Sequence, residues 1–435
     1  MSNKVITRFA PSPTGQFHLG GVRSALYNYL FAKQNKGTYI LRSEDTDKER
    51  SKKEYEDSFV ELFEWLGLKP DKFFRQSERT EIYKKYLEKM IANGSAYVSK
   101  EEIKEEGQRS EVIRFKNPNK KITFNDIVLG DISFDTTDLK DFVIARSLTE
   151  PLYNLSAVID DHEMAITHVI RGQEHIANTP RQILIQEAIG AKRPLYAHMP
   201  LILSKDRAKL SKRDPEVIPA LEYRNFGYLP EAIVNFMALI GWNPGGEQEV
   251  FTLAELVKKF DINKIQKSGG VFNSEKLDWI NKEHMKRLPQ KEIEKNIMTW
   301  LPEEMRNPKL VSVIFERISK WGDVKDIAER GELNFFFQEP KYSREKLVYK
   351  NSAPEKITNN LKLAIEALKK LDEKNFSKEK IKDNLMKVAD DLENRGELLH
   401  PVRFALSGLE KSPDPFIVAE ILGKNETLSR LQKAV

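Results

Sequence analysis

The chain of 435 residues contains no cysteine. This absence excludes disulfide bridges, a thiolate nucleophile and any zinc or iron–sulfur site with sulfur ligands. Histidine is scarce too, and its seven occurrences show none of the paired spacings of a histidine metal site. We therefore expect no metal centre held by protein side chains, and no zinc. Uninterrupted apolar runs are also missing, since none approaches the roughly 20 residues that span a bilayer.

The N-terminus lacks the long apolar core of a secretory signal, because residues 1–5 lead directly into a strand-like segment. We therefore predict a cytoplasmic protein without membrane contact. Neither sign of charge dominates, since 31% of the residues are charged but the net charge is only +5. A nucleic-acid partner would thus depend on local basic patches. With 40% hydrophobic residues, a chain of this length is predicted to be globular, with roughly two to four domains.

The first 50 residues alternate between strand and helix patterns. Residues 4–10 predict a short buried strand, and residues 38–42 predict a second one. Between them, apolar residues recur at helical spacing from His18 to about Gln34. Residues 11–15 can only be a tight loop, since two prolines and a glycine interrupt any regular pattern. Strand, loop, helix and strand in this order are typical of the start of a nucleotide-binding α/β sheet.

The rest of the chain changes pattern twice. Residues 96–147 show short alternating strands and predict an inserted domain. The α/β pattern then resumes, with a strand at 165–170 and a helix at 179–189. From about residue 225 onward the chain is largely helical in pattern. The sequence therefore predicts an α/β protein with an all-helical C-terminal part.

Two segments have the chemistry to hold phosphate groups. In the first, the loop 11–15 precedes His18, Gly20 and Gly21, so backbone N–H groups and a helix N-terminus meet where an anion would lie. The glycines let a nucleotide approach the backbone, and His18 can donate to a phosphate oxygen. The short element His-Leu-Gly alone more often belongs to an ordinary turn, whereas the extended string is more specific.

The second segment is basic. Lys209, Lys212 and Arg213 place three cations within five residues, and Lys205 and Arg207 precede them. Such charge usually belongs to a solvated surface loop. Its functional alternative is a clamp that neutralises the charge growing on the β- and γ-phosphates of ATP during displacement at the α-phosphorus. Each signal is weak by itself, and the two together favour an enzyme that uses ATP.

Longer strings follow one another in a fixed order along the chain. They are RFAPSPTGQFHLGG (8–21), LRSEDTD (41–47), DDHEMAITHVIRGQEHIANTPRQ (160–182), KLSKR (209–213), GYLPEAIVNFMALIGW (227–242), EKLDWIN (275–281) and HPVRFALSGLEKSPDPFIVAEILG (400–423). In these strings and in their order, the chain resembles bacterial glutamyl-tRNA synthetases, which are class I aminoacyl-tRNA synthetases. The resemblance covers nearly the whole chain.

The resemblance implies an ATP-dependent ligase that works in two steps. ATP and L-glutamate form glutamyl-adenylate and diphosphate, and the glutamyl group then passes to the 3′-terminal adenosine of tRNA(Glu). Activation in this family characteristically waits for bound tRNA. Mg²⁺ would come with ATP, and tRNA(Gln) is a second tRNA that some members of the family charge. We further expect the protein to be a monomer.

The resemblance also implies roles for the residues around the amino acid. Arg8 and Tyr153 match residues that recognise the side-chain carboxylate of glutamate. Ser12 and Glu44 match residues that hold its α-amino group, and Arg171 matches an arginine against the carboxylate end. A buried guanidinium favours an anion over a neutral amide through charge-assisted hydrogen bonds. Without the resemblance, Arg8 would be interpreted as a surface residue at a strand end and Tyr153 as a core aromatic.

The same resemblance implies the ATP site. The catalytic set on the phosphates is His18, Gly20, Lys209 and Lys212. The ATP-binding residues are Pro11, Thr14, Gly15, His18, Gly20, Gly21, Glu174, Ser211 and Lys212, and His175 also faces the ATP side. No side chain is needed as a covalent nucleophile, because the carboxylate of glutamate attacks. One departure from the family pattern is that Asp214-Pro215 follows the KLSKR string, where His-Gly is usual.

The domain organisation that the resemblance implies has four parts. Residues 1–82 and 148–192 form a Rossmann-like catalytic domain, which a short α+β insertion at 83–147 interrupts to bind the tRNA acceptor end. Residues 193–290 form a stem-contact domain that carries the KLSKR loop, and residues 291–435 form an all-helical anticodon-binding region. The insertion has no zinc-binding cysteines.

Three other kinds of protein share part of this sequence pattern. Glutaminyl-tRNA synthetases share the signatures but typically have β-barrels where this C-terminal part is helical in pattern. A truncated paralogue that glutamylates a modified base in tRNA lacks an anticodon domain, whereas this chain has a tail from about 300 to 435. A catalytically silent tRNA-binding module is the third, and the joint presence of His18, Glu44, Arg171 and Lys212 argues against it.

Overall fold

Alternating strands and helices build the N-terminal part of the protein. The computed structural model describes residues 4–102, 110–208, 210, 218–350 and 352–435. The chain separates into two compact units, Met1–Lys286 and Arg287–Val435. The strands of the first unit are β1 Ile6–Phe9, β2 Thr38–Ser43, β3 Lys72–Arg75, β4 Ala96–Lys100, β5 Glu111–Phe115, β6 Lys121–Asp126, β7 Gly130–Asp135, β8 Phe142–Ser147, β9 Glu150–Pro151, β10 His168–Gly172, β11 Leu195–Met199, β12 Ile202–Leu203 and β13 Gly270–Val271.

Helices cover the sheets of the first unit and make up the second unit. Those of the first unit are α1 Leu19–Gln34, α2 Lys53–Trp65, α3 Thr80–Ala92, α4 Tyr153–Glu163, α5 Thr179–Ile189, α6 Glu222–Asn225, α7 Pro230–Leu239, α8 Leu253–Lys259 and α9 Ser274–Met285. Those of the second unit are α10 Gln290–Trp300, α11 Val311–Arg317, α12 Gly322–Glu329, α13 Pro354–Lys369, α14 Lys378–Asp390, α15 Gly396–Ser407, α16 Pro415–Leu422 and α17 Lys424–Ala434. No helix among the described residues is both long and apolar enough to cross a membrane.

Two sheets, β1-β2-β3 and β10-β11-β6-β7, meet edge to edge at β1 and β10 and are together called the central sheet. β1 pairs with β2, β2 with β3, and β10 with β11, all in parallel. β1 lies beside β10, since the Ile6 N–H donates to Thr167 Oγ1 and the Thr167 N–H donates to the Ile6 carbonyl, each over 2.9 Å. Along the chain, strands are first added on one side of β1, as β2 and β3, and later on its other side, as β10 and β11. The strand order β3-β2-β1-β10-β11 therefore has a switch point at β1. In doubly wound sheets such a switch point opens a crevice at the carboxyl ends of the strands.

Helix α1 packs on this sheet through one apolar side. Val22, Leu26 and Leu30, spaced by four residues, are fully buried. This is the spacing at which side chains stack on one face of a helix. The Thr7 hydroxyl of β1 also donates to the Asn28 carbonyl over 2.9 Å. The helix predicted from His18 to Gln34 is present, and its N-terminus lies at the carboxyl end of β1.

The segment predicted as an insertion contributes to two different sheets. Strands β4, β5, β8 and β9 form an antiparallel sheet of their own. The hairpin of β6 and β7 instead extends the central sheet, because β6 pairs in parallel with β11 through Asp126 and Tyr196. Asp126 accepts backbone hydrogen bonds from His198 on β11, which explains the attachment of the hairpin. Within the segment 83–147, the hairpin of β6 and β7 is therefore part of the central sheet.

One predicted strand begins later than its apolar pattern suggested. The sequence predicted a strand at 165–170, but β10 begins at His168. Helix α4 extends to Glu163, and Ala165 closes it in the left-handed region with a φ of 52°. The apolar residues at this point therefore complete a helix and its turn before the strand starts. Patterns of alternating and helical spacing overlap over such short stretches.

The second unit has its own apolar core. In its described residues the regular elements are α-helices and short 3₁₀ turns. Helices α13, α14 and α15 contribute fully buried leucines, among them Leu361, Leu385 and Leu398. The division after Lys286 falls close to residue 291, where the sequence predicted the helical C-terminal region to begin.

Candidate active site

A cavity of about 540 Å³ opens at the carboxyl ends of β1 and β10, beside the N-terminus of α1. It brings together the predicted amino-acid-binding residues Arg8, Ser12, Glu44, Tyr153 and Arg171. The described part of the predicted ATP-binding set lines the same cavity, namely Pro11, Thr14, Gly15, His18, Gly20, Gly21 and Glu174. Lys209, Ser211 and Lys212 lie outside the described residues.

A second cavity of about 440 Å³ adjoins the first. The two share the walls formed by Ser12, Thr14, Glu44 and Tyr153. The second cavity extends to Glu150 at the edge of the inserted antiparallel sheet. A ligand in the first cavity could therefore meet a second ligand that enters from the side of the insertion.

The N-terminus of α1 provides backbone donors at the cavity. His18 is its N-cap residue in extended conformation, and no side chain caps the first turn. No acidic residue lies in that turn either. The Gly21 N–H donates to the His18 carbonyl over 3.0 Å, so the part of this turn that is suited to an anionic ligand is the backbone at Gly20 with the positive end of the helix dipole. His18 Nδ1 lies 3.4 Å from the Ile218 carbonyl.

The two glycines of the first turn differ in what surrounds them. A methyl group built on Gly21 would overlap the ring of Phe17, which packs at 5.4 Å from Phe63. Outside the backbone of its own helix, a methyl group on Gly20 would meet no atom of the described residues within 4 Å. Packing therefore requires a glycine at position 21 but does not require one at position 20. Gly20 is exposed in the cavity, where the absence of a side chain leaves room for a ligand.

A buried ion-pair network lies beneath the cavity. Arg42 is fully buried and donates to Asp161 over 2.8 Å and to Glu44 over 3.3 Å, with Asp160 at 3.6 Å. Asp161 also accepts a hydrogen bond of 3.1 Å from Nε of Arg8. Although burial opposes ionisation, the charges of Arg8 and Arg42 lower the pKa of Asp161 below its ordinary value. Asp161 is thus ionised and holds both guanidinium groups in place.

Glu44 titrates unusually within this network. Burial raises the pKa of Glu44 to about 7, although Arg42 and Arg8 act in the opposite direction. Its carboxylate is therefore only partly ionised at neutral pH when the cavity holds no ligand. An ammonium group beside Glu44 would favour the ionised form. Glu44 can therefore accept hydrogen bonds from a cationic ligand, whose charge favours the ionised carboxylate.

Arg171 carries a buried charge that no carboxylate neutralises among the described residues. Its Nε donates to His198 Nε2 over 3.1 Å and its Nη2 to Thr179 Oγ1 over 2.9 Å. Both partners are neutral acceptors. Its Nη1 is buried and has no hydrogen-bond partner within the described part of the chain. An unpaired guanidinium edge in a cavity is an expected binding site for an anion, since a buried donor without a partner is costly.

Tyr153 and His175 form another part of the cavity wall. The Tyr153 hydroxyl lies 3.5 Å from His175 Nδ1, at the limit of a hydrogen bond. Burial, followed by the charge of Arg171, lowers the pKa of His175 to about 4. Its imidazole is therefore neutral at physiological pH. Burial also raises the pKa of Tyr153, so its hydroxyl remains a donor.

The structure adds site residues that sequence reasoning did not assign. Arg42 and Asp161 occur in the strings LRSEDTD and DDHEM, but their local sequence contained no sign that they pair with each other. His198, Thr179 and Asp126 were also missed. A buried polar residue in an apolar strand is the signal that could have identified His198 in Leu195–Met199.

Comparisons with known proteins agree on one family. The family model "tRNA synthetases class I (E and Q), catalytic domain" matches residues 4–111 and 99–279, and the model "Anticodon binding domain" matches residues 253–435. Glutamate–tRNA ligase 1 of Petrotoga mobilis is 39% identical, over 98% of this chain and 97% of its own. Glutamate–tRNA ligase of Bacillus subtilis is 36% identical, over 99% of this chain and 100% of its own.

Solved structures give the same result. The crystal structure of a glutamate tRNA ligase from Elizabethkingia meningosepticum, in complex with its amino acid, has a TM-score of 0.86 to this chain at 34% identity. A glutamate-tRNA synthetase from Elizabethkingia anophelis has a TM-score of 0.84, also at 34% identity. Each comparison covers 99% of both chains.

Proposed function

Since the chain belongs to the glutamate–tRNA ligase family of class I tRNA synthetases, we propose that it attaches L-glutamate to tRNA(Glu) in two ATP-dependent steps. Its fold is that of this class, with a Rossmann-like catalytic part and a helical C-terminal region that matches the anticodon-binding model. A helical second unit, in the residues described, also favours this family over the glutaminyl enzymes with their expected β-barrels.

The unpaired edge of Arg171 is the observation that most directly supports the binding of an amino-acid carboxylate in this cavity. Its buried charge has neutral partners only, so binding a carboxylate satisfies both the charge and the free Nη1 donor. Arg8 would bind the side-chain carboxylate together with Tyr153. Selection of a side-chain carboxylate over a neutral amide would therefore rest on Tyr153 and on Arg8, whose charge Asp161 partly compensates.

Glu44 and Ser12 would hold the ammonium group of glutamate. Glu44 is buried and gains its negative charge most readily beside a cation, as its raised pKa indicates. Ser12 is exposed on the same wall of the cavity and offers a hydroxyl acceptor. An amino acid would therefore be bound at both of its charged ends. This fixes the orientation in which its α-carboxylate meets ATP.

ATP would bind along the N-terminus of α1. Its phosphates would accept from the backbone at Gly20 and from His18, with Gly20 leaving the space they need. By the family resemblance, Lys209 and Lys212 would neutralise the phosphates from the KLSKR loop. Mg²⁺ would enter the site bound to ATP. Pro11, Thr14, Gly15 and Glu174 complete the walls.

In the first step, an α-carboxylate oxygen of glutamate attacks the α-phosphorus. The bond from that phosphorus to the bridging oxygen breaks, and diphosphate leaves with the electron pair. Positioning of the two substrates and stabilisation of the growing negative charge supply the catalysis, and no protein nucleophile takes part. The imidazole of His175 is neutral, so it adds no positive charge beside the carboxylate that attacks.

In the second step, a hydroxyl of the 3′-terminal adenosine attacks the carbonyl carbon of glutamyl-adenylate. AMP leaves, and the new bond is the ester of glutamyl-tRNA. The adjoining cavity would admit the adenosine, because it shares Glu44 and Tyr153 with the amino-acid site and extends to Glu150 near the insertion. Residues 83–147 would thus bind the acceptor end, with 193–290 on the stem and 291–435 on the anticodon. We propose that the enzyme works as a cytoplasmic monomer.

Diphosphate–ATP exchange with purified protein tests this function. We expect exchange with glutamate, none with glutamine, and a requirement for tRNA(Glu). An arm with tRNA(Gln) determines whether that tRNA is a second substrate, and transfer of labelled glutamate to each tRNA follows the second step. Exchange with glutamine in place of glutamate would refute the substrate assignment, and exchange without tRNA would refute the tRNA requirement.

A further inference from the structure

We propose that His198 and Asp126 are positioning residues that orient Arg171 towards the substrate carboxylate while leaving its charge uncompensated. This inference deepens the proposed function and rests on the amino-acid-binding role given there to Arg171. Neither residue lines the substrate cavity or would touch a substrate atom. Their effect would reach the reaction through Arg171 alone.

Three neighbouring strands bring these residues together. Arg171 on β10 is the register partner of His198 on β11, and β11 in turn pairs with β6, where Asp126 is the last residue. The imidazole lies between the guanidinium and the carboxylate, with Nε2 at 3.1 Å from Arg171 Nε and Nδ1 at 2.6 Å from Asp126 Oδ2. His198 is fully buried, and Asp126 is 1% exposed.

The hydrogen bonds determine which nitrogen of His198 carries the proton. Arg171 Nε can only donate, so His198 Nε2 must accept. The ring proton is therefore on Nδ1 and is donated to Asp126 Oδ2. Burial, with the charge of Arg171 in addition, lowers the pKa of His198, although Asp126 opposes this shift. A neutral imidazole with its proton on Nδ1 is thus the state that fits all of its neighbours.

Asp126 is itself held by the backbone. Its Oδ1 accepts from the N–H groups of Val128 and Leu129, each over 3.0 Å, and both of its oxygens accept from the His198 N–H. Its Oδ2 is thereby directed at the imidazole. The hairpin of β6 and β7 joins the edge of the central sheet. Through Asp126 and the imidazole of His198, it is hydrogen-bonded to Arg171 in the amino-acid site.

Because the His198 ring lies between Arg171 and Asp126, Arg171 is oriented by a hydrogen bond without a carboxylate in contact with it. Asp161 contacts Arg8 directly, so the charge of that arginine is shared with a carboxylate. Arg171 instead meets the acceptor nitrogen of a neutral ring, and the carboxylate of Asp126 lies on the far side of that ring. Two of its donors are fixed by neutral partners, and Nη1 has no partner among the described residues. A fixed, uncompensated guanidinium is what recognition of an anion requires.

Asp126→Asn is the sharpest perturbation, since it preserves shape and removes only the charge. The N–H groups of Val128 and Leu129 donate to Oδ1 alone and keep the amide oxygen on that side, so the amide nitrogen faces His198 Nδ1 and donates to it. The imidazole must then carry its proton on Nε2, where it opposes the Nε–H of Arg171. We expect the KM for glutamate to rise roughly tenfold to hundredfold, the loss expected for a hydrogen bond to a charged group.

Two variants of His198 provide matched controls. In His198→Gln, the amide oxygen can occupy the position of Nε2 and accept from Arg171, so we expect the KM for glutamate to stay within about threefold. In His198→Asn, the side chain is too short to reach, and the KM should rise as in Asp126→Asn. The KM for ATP should remain within about threefold in all three variants, which a general loss of structure would not allow.

The tautomer supplies a readout that does not depend on activity. In protein labelled with ¹⁵N-histidine, two-bond ¹H–¹⁵N spectra should show one neutral ring protonated on Nδ1, and its signal should vanish in His198→Gln. Protonation of that ring on Nε2 in the unaltered protein would overturn the inference. So would equal increases in the KM for glutamate and ATP in Asp126→Asn, or no increase in either.

Folding of each variant is measured by urea unfolding. If Asp126→Asn does not fold, the His198 pair and the tautomer of the unaltered protein still decide. The proposed function fails separately, if the unaltered protein gives no glutamate-dependent exchange in the presence of tRNA(Glu).

Discussion

Lowering the pH should weaken the binding of glutamate, because Glu44 must be ionised to pair with the ammonium group of the substrate. Burial raises the pKa of Glu44 to about 7, against the effects of Arg42 and Arg8. A carboxyl group with a raised pKa is protonated over a wider range of pH, so its binding-competent form is lost as the pH falls through 7. Binding should therefore be strong at pH 8 and weak at pH 6.

The magnitude follows from the titration. If only the ionised form binds, the KM for glutamate is multiplied by one plus the ratio of protonated to ionised Glu44. With a pKa near 7 this ratio is about 10 at pH 6 and about 0.1 at pH 8, so the KM should rise roughly tenfold between them. His175 does not interfere, because burial and Arg171 lower its pKa to about 4, well below the range.

Diphosphate exchange at saturating Mg·ATP and tRNA, from pH 6 to pH 8, measures this effect. Calorimetry adds an independent test, since glutamate binding near pH 7 should release about half a proton, seen as a dependence of the enthalpy on the buffer. Glu44→Gln is the control, because its KM should be high and independent of pH. A KM that is flat in the unaltered protein, or that falls as the pH is lowered, would refute the reasoning.

Other variants probe the remaining parts of the site. Gly21→Ala should destabilise the protein by about 1–3 kcal/mol in urea unfolding, since the methyl group would overlap the Phe17 ring; a change below about 0.5 kcal/mol would contradict the packing argument. Gly20→Ala should leave stability unchanged while the KM for ATP rises roughly tenfold, because the methyl group would enter only the cavity; an unchanged KM would place ATP elsewhere. Asp161→Asn should cost about 3–5 kcal/mol, since Arg8 loses its carboxylate partner and Arg42 loses the nearest of its three; a cost below about 1 kcal/mol would contradict the stabilising role of this network. Lys212→Ala should lower the activation rate roughly 100-fold with an unchanged unfolding midpoint; normal turnover would refute its role on the phosphates.

Local patterns predicted the elements around the site well. The helix from His18 and the strands on either side of it were predicted from spacing alone, because the periodicity of α1 is a property of neighbours along the chain. The strand expected at 165–170 was displaced, because the turn at Ala165 ends α4 with a left-handed residue that apolar patterning does not reveal. The strings around Arg8, Glu44 and Arg171 also predicted that these residues share one site.

The sequence by itself therefore determined the element order at the nucleotide end and the family, and through the resemblance it named Arg8, Ser12, Glu44, Tyr153 and Arg171, which line the cavity. Only the tertiary structure decided which charges compensate one another. Asp161 lies 153 residues from Arg8 and 119 from Arg42, and the ring that separates Arg171 from Asp126 comes from a third strand. Such pairings depend on how strands are ordered across a sheet. In the sequence Arg8 and Arg171 are simply two arginines, whereas in the fold one has a carboxylate beside it and the other retains its charge for the substrate.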